Sequence, residues 1–459
     1  MLDIKLIREN PDVVRQDLIK RGEIEKLKWI DEILELDKKW RENLKKINNL
    51  RRERNKIAVE IGKRKKEGKP VDELMEKSKQ IVAEIEKLEE QIEEFKQKID
   101  FYLWRLPNIT HKSVPIGKDD TENVPIKFWG KARVWKGHLE SFLDQSQGKM
   151  EYEILEWRPK IHVDMLEILG GADLERAAKV SGSRFYYLMN ELVILDLALL
   201  RFALDKLIDK GFIPVIPPYM VRRYVEEGVT TFDDFENVIY KLEGEDLYLI
   251  PTAEHPLAGL HANEIIDGKD LPLLYAGISP CFRKEAGTAG KDTKGIFRVH
   301  QFHKVEQFVY ARPEESWEWH EKLLQNAEEL FQELGLPYRV VNICTGDLGY
   351  VAAKKYDIET WMAGQGRFRE VVSCSNCTDW QARRLNIRFR DKTHEKPKFV
   401  HTLNSTAIAT SRAIVAILEN FQEEDGTVKI PKVLWKYTGF KEILPVERKK
   451  GCCWNQERI

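Results

Sequence analysis

Two heptad runs near the start of the chain leave it the least freedom. The first places Ile33, Leu36, Trp40, Asn43, Ile47, Leu50, Arg54, Ile57 and Ile61 at alternating intervals of three and four. The second runs through Leu74, Ser78, Ile81, Ile85, Leu88, Ile92, Phe95 and Ile99. Between them lie polar residues ending in Gly68-Lys69-Pro70. That spacing predicts two long helices folded back into an antiparallel hairpin, each arm about 45 Å long at 1.5 Å per residue. Its turn end is basic: Arg51, Arg52, Arg54, Lys56, Lys63, Arg64, Lys65, Lys66 and Lys69. Such a cluster suits phosphate contact. A dimerising coiled coil, or a hairpin with a solvated charged face, is the plainer alternative. Ahead of the hairpin, Asn10-Pro11-Asp12 reads as a helix start, with Asn as cap, Pro in the first turn and Asp at the positive end of the dipole.

A second feature concerns chemistry. Residues 277–310 read GISPCFRKEAGTAGKDTKGIFRVHQFHKVEQFVY. Two strand-like segments flank a long polar loop. In the second segment Phe297, Val299, Val305 and Val309 share one face, and Arg298, His300, Phe302, Lys304 and Glu306 the other. Arg283 and Glu285 share a face of the first. Charged sheet faces are poor core material unless the charges are paired or hold a ligand.

Composition limits the partners. The chain has 459 residues, 42% hydrophobic and 33% charged, with net charge −1. It is long enough for two domains, and any nucleic-acid-binding surface has to be local. Abundant Glu and Lys are a thermophile-like trait. MLDIKLIREN is charged from its third residue, which argues against a signal or membrane segment and for a soluble cytoplasmic protein. Six cysteines are too few for a disulfide framework. Cys374-x-x-Cys377 supplies at most half a structural zinc site, Cys452-Cys453 is badly spaced, and no redox unit surrounds either pair.

Residues 104–126, with Pro107, Pro115, Gly117 and Pro125, read as a linker, which puts a boundary near residue 108. Residues 182–211 read as one long helix ending at Gly211, followed by the strand-like Phe212-Ile213-Pro214-Val215-Ile216-Pro217-Pro218. An apolar strand runs into Thr252-Ala253-Glu254, a tripeptide that also suits a helix N-terminus. Residues 400–420 read as a strand, a small-residue turn and a helix, with Arg412 near the helix opening. A cation there opposes the dipole, which a polyanionic ligand would explain. The tail, with Cys452, Cys453 and Trp454, suggests no function.

These stretches together resemble class II aminoacyl-tRNA synthetases, and the seryl-tRNA synthetase family in particular. FRKEAGTAGKDTKGIFRVHQFHKVEQF resembles motif 2, the helix and Pro-rich strand before it motif 1, and STAIATSR motif 3 in its archaeal and eukaryotic seryl form. The general motif 3 is richer in Gly, so the turn geometry before Arg412 is the part least carried over. The hairpin resembles the family's arm for the long variable arm of tRNA. The resemblance implies an α+β fold: residues 1–108 as a tRNA-binding helical arm, and 109–459 as a class II catalytic domain, an antiparallel sheet backed by helices. It implies ATP-dependent activation of L-serine to seryl-adenylate, transfer to the 3′ end of tRNA(Ser), magnesium as the ion on ATP, and a homodimer.

By the same resemblance, Arg283 would hold the serine carboxylate and the α-phosphate, and Arg412 the γ-phosphate. Thr252, Ala253, Glu254, Glu306, Asn404 and Thr406 would form the serine pocket. Lys284, Glu285, Val299, Phe302, Val371 and Val372 would border ATP, with Phe302 on the adenine. Glu370 and Ser373 would hold magnesium. Two alternatives remain: a class II enzyme for another small amino acid, such as threonine or proline, and a tRNA-binding paralogue without catalysis. Class I chemistry lacks its HIGH and KMSKS signatures, and Gly290-Lys291-Asp292 lacks P-loop spacing.

Overall fold

The computed structural model describes residues 1–231, 238–285, 292 and 294–448. The expected loop residues 286–291 and 293, and Cys452, Cys453 and Trp454, lie outside the described residues. The chain forms two compact units, Met1–Ile109 and Thr110–Ile459.

The first unit is helical. Two short helices, α1 (Ile4–Glu9) and α2 (Pro11–Lys20), precede the hairpin of α3 (Leu27–Lys66) and α4 (Asp72–Leu103). Pro11 and Asp12 open α2 as expected, but the Asn10 side chain makes no capping bond. At 40 residues α3 is about 60 Å long, beyond the expected 45 Å, because helix persists past the last apolar heptad position on both sides. Ile47, Ile57, Ile81, Ile85 and Leu88 pack along the hairpin seam. Asn43, buried within it, donates to Gln91 Oε1 at 3.0 Å. At its base Ile7, Val14, Leu18, Ile30, Ile33 and Ile99 form a separate core.

The second unit is built on an eight-stranded sheet. Its strands in chain order are β1 (Val124–Trp129), β2 (Ile213–Val215), β3 (Leu273–Phe282), β4 (Gln301–Ala311), β5 (Tyr338–Asn342), β6 (Lys354–Met362), β7 (Arg367–Asn376) and β8 (His401–Ala409). They lie in the order β1-β5-β6-β7-β8-β4-β3-β2. All pairs are antiparallel except β3 with β2, which are parallel. One face packs on three long helices, α5 (Glu191–Asp209), α8 (Ser316–Leu334) and α10 (Thr410–Asn420), through residues such as Leu195, Phe202, Val305, Val309, Phe331 and Ile414. The other face carries short helices, α6 (Arg223–Val229), α7 (Glu254–Gly259) and α9 (Trp380–Leu385). Beneath them Tyr275, Phe308 and Tyr310 form a second core with Leu257 and Leu385.

Three further expectations, in the second unit, need correction. The long helix begins at Glu191 rather than 182, because Gly182, Arg184 and Asn190 all have positive φ, which breaks a helix. The returning strand begins at Gln301, so Phe297 and Val299 are buried in the stretch before it rather than on a strand face. No small-residue turn separates β8 from α10: the strand ends at Ala409 and the helix starts at Thr410.

Candidate active site

The site lies on the sheet face opposite the long helices, beside the short helices α7 and α9. Alternation along β4 sends Val305 and Val309 to the helical core and Phe302, Lys304 and Glu306 to the open face. Glu306 lies opposite Gly277 of β3. A Cβ at Gly277 would stand 2.7 Å from Leu257 Cδ1 and 2.9 Å from the Ala253 Cβ, so glycine lets the Thr252–Glu254 loop close over Glu306.

Two bulges complete the site. In β8 Val305 faces Ile408 and Glu306 faces Thr406, which leaves Ala407 unopposed. Asn404 and Thr406 therefore share a face with Ala409, despite the change in parity. In β7 Val372 faces Ile358 and Glu370 faces Glu359, so Val371 is the extra residue. That shift turns Glu370 onto the face of Ser373 and Ser375.

Together they enclose a cavity of about 250 Å³. It is lined by Thr252, Glu254, Arg283, Phe302, Lys304, Glu306, Glu370, Val371, Ser373, Ser375, Asn404, Thr406, Ala409 and Arg412. Eleven of these were expected from the sequence; Lys304, Ser375 and Ala409 were not. Five expected residues do not line it. Ala253 is fully buried within its loop, and Val299 and Val372 lie in the helical core. Lys284 donates its backbone N–H to Val238 O at 2.8 Å. Glu285, at φ +50°, ion-pairs with Arg298 at 3.1 Å.

The two halves of the cavity differ in charge. In one, the Arg412 guanidinium lies 3.0 Å from Glu370 Oε1 and donates to the Glu370 carbonyl at 3.1 Å. Burial pushes the Glu370 carboxyl up, but Arg412, Lys355 and Arg283 outweigh it and hold it below the usual range. Beside it Asp357 faces Ser373 across the sheet, with Oδ1 buried and without a partner. Burial raises the Asp357 carboxyl, Lys355 opposing and Glu370 adding to the rise. Arg283 lies 5.3 Å from the Phe302 ring and donates to Pro251 O at 3.2 Å.

In the other half Lys304 pairs with Glu306 and donates to Thr252 Oγ1 at 2.7 Å. Thr252 in turn donates to Glu306 at 3.3 Å and accepts from the Glu254 N–H at 3.1 Å. The tripeptide thus acts as a helix start and as a cavity wall at once. Burial raises the Glu306 carboxyl, with Lys304 opposing. Gln381, fully buried on α9, donates to Glu254 Oε1 at 2.8 Å and accepts from Thr402 at 2.6 Å. Nothing in the sequence flagged Gln381, because its role depends on α9 packing beside α7. Cys374 and Cys377 are both buried, and burial pushes both thiols up. Cys377 accepts a weak bond from Asn404 at 3.7 Å.

The arrangement can hold a small zwitterion at the carboxylate end and a polyphosphate at the arginine end. The chain is also similar to known proteins over most of its length. Residues 1–110 match the seryl-tRNA synthetase N-terminal domain, and residues 237–421 the tRNA synthetase class II core domain (G, H, P, S and T). The chain is 82% identical over 457 residues to a serine–tRNA ligase of Thermococcus onnurineus, covering 100% of both chains. The seryl-tRNA synthetase of Pyrococcus horikoshii, solved with ATP, superposes with a TM-score of 0.95 at 82% identity, over 97% of this chain and 100% of that one. A cytoplasmic serine–tRNA ligase of Naegleria fowleri, solved with AMP, superposes at 0.84 with 36% identity, over 97% and 99%.

Proposed function

The chain belongs to the seryl-tRNA synthetase family, and on that premise we propose that it activates L-serine with ATP and passes the seryl group from seryl-adenylate to the 3′ end of tRNA(Ser). The observation that carries this is the single cavity with paired carboxylates at one end and Arg283 and Arg412 at the other. The serine carboxylate attacks the α-phosphorus, the α–β phosphoanhydride bond breaks and pyrophosphate leaves, so the protein positions reactants and neutralises charge. Arg283 holds the attacking carboxylate and the α-phosphate. Arg412 holds the γ-phosphate. Phe302 offers a ring face to adenine. Glu254 takes the serine ammonium, and Glu306, with Asn404 and Thr406, takes the hydroxyl. A pocket that hydrogen-bonds the hydroxyl rejects alanine by about 10⁴-fold, since its polar groups would otherwise be unpaired.

A magnesium ion fits beside Glu370 and Ser373. Arg412 engages Glu370 through Oε1, and Ser373 adds a hydroxyl backed by Asp357. An all-oxygen donor set of few protein groups suits magnesium. Bound there with ATP, it would draw charge from the phosphates.

The N-terminal unit serves as the tRNA-binding arm, with the boundary near residue 108, and the protein acts as a cytoplasmic homodimer. No helix among the described residues is long and apolar enough to cross a membrane. The sheet-edge strand β2 with the residue just after it, and helix α5, expose Ile213, Ile216, Leu197 and Ile208, which suits a subunit interface. The arm is tested by aminoacylation of tRNA(Ser) with the triple variant Lys63→Glu, Lys65→Glu, Lys66→Glu in the full chain. Its KM for tRNA should rise at least about tenfold with a shallower salt dependence, while serine-dependent pyrophosphate exchange stays unchanged. An unaltered KM for tRNA would remove the arm from recognition.

A further inference from the structure

Lys304 has no part in the chemistry above, yet it sits inside the serine half of the cavity. It is 5% exposed, Glu306 2% and Thr252 6%, so the cation, its carboxylate and the bridging hydroxyl are all taken from water. A buried lysine is costly, and one lining a substrate cavity calls for a reason.

The reason lies in how charges are matched. Two carboxylates, Glu254 and Glu306, line this end of the cavity. An amino acid brings one ammonium, and Arg283 answers its carboxylate. With both acidic side chains uncompensated, serine could place its ammonium at either one. The structure removes that ambiguity. Glu306 is paired with Lys304. Glu254 is held by the neutral amide of Gln381 at 2.8 Å, so its charge is left for the substrate.

Resting on the serine assignment above, we propose that Lys304 is a specificity-determining residue. By neutralising Glu306 it directs the ammonium to Glu254 and leaves Glu306 as the acceptor for the side-chain hydroxyl. The groups facing Glu306 agree with this division. Lys304 is two residues away on β4, Thr252 and Glu254 approach from the loop, and Cys281 is on the neighbouring β3. Cys374 on β7 is also within electrostatic reach.

The test uses the full chain, ATP–pyrophosphate exchange, and three amino acids: L-serine, L-alanine and L-2,3-diaminopropionate. The last replaces the hydroxyl with a second amino group. In the parent, Lys304 repels that amine. In Lys304→Met, Glu306 is free to accept it. The expected result is a KM for serine raised about 100-fold or more with KM for ATP little changed. The ratio of kcat/KM for diaminopropionate over serine should rise by about 100-fold or more.

Serine and diaminopropionate falling together at a constant ratio would overturn the proposal, as would an unaltered KM for serine. Should Lys304→Met fail to fold, Lys304→Gln keeps a donor to Thr252 while removing the charge, and the same ratio decides. Glu306→Gln in parallel separates the two ideas. If it leaves serine exchange intact, the assignment of Glu306 to serine fails. If it abolishes serine exchange while Lys304→Met shows no change in ratio, only the role of Lys304 fails.

Discussion

At the scale of single residues, the site depends on a missing atom as much as on charged groups. Gly277 leaves the space into which Ala253 and Leu257 settle, and so sets how closely Glu254 approaches Glu306. Gly277→Ala should displace the loop, raise the KM for serine about tenfold or more, and cost about 1–3 kcal/mol of stability. The KM for ATP should hardly move, because Arg412 and Glu370 lie in the other half of the cavity. Steady-state exchange kinetics with each substrate varied would check this; equal effects on both substrates would contradict it. Residue types alone made Arg283, Glu306 and Arg412 conspicuous, because charges on a sheet face or against a dipole need an explanation. They gave no such signal for Gln381, an ordinary polar residue whose importance is created by its neighbours. Lys304 was visible as a charge on the right face, but its pairing with Glu306 and Thr252 appears only once the loop is folded over the strand.

At the scale of elements, simple alternation predicts the face of β4 correctly and fails on β7 and β8. The bulges at Val371 and Ala407 change parity midway, and no residue type announces them. The hairpin was legible because heptad spacing holds over many turns, whereas the segment before α5 was misjudged because its positive φ angles fall at Arg184 and Asn190 as well as at glycine. The packing of α8 on the sheet also makes a pH-dependent contribution. His320 is fully buried, stacks on Tyr356 with centroids 5.0 Å apart, and donates Nε2–H to Cys374 O at 3.1 Å. Its Nδ1 has no partner. Burial lowers its pKa to about 4, the Cys374 carbonyl opposing and Lys354 and His111 adding to the fall. The folded value lies below the unfolded one of about 6.5, so this contribution is intact above that pH and is lost as pH falls toward 4. It amounts to about 3 kcal/mol. Denaturant titrations should show the parent losing about that much more than His320→Gln between pH 6.5 and 4. Equal losses would mean that His320 takes up its proton equally in the folded and unfolded states.

At the scale of the whole molecule, the two units have separate cores: one carries the long hairpin with its basic turn end, the other the cavity proposed for serine and ATP. The exposed Ile216, 71% accessible just beyond β2, is part of the surface proposed above for a second subunit. Ile216→Asp should therefore shift sedimentation from dimer toward monomer, and an unchanged dimer would move the interface elsewhere. Independent of assembly is the proposal that one cavity pairs serine with ATP. It is tested most directly by ATP–pyrophosphate exchange without tRNA, offering serine, threonine, alanine, glycine and proline in turn. Exchange with serine alone is the predicted result. Exchange driven better by another of the five would contradict the pocket assignment, and no exchange with any of them, in folded protein that still binds tRNA, would contradict catalysis itself.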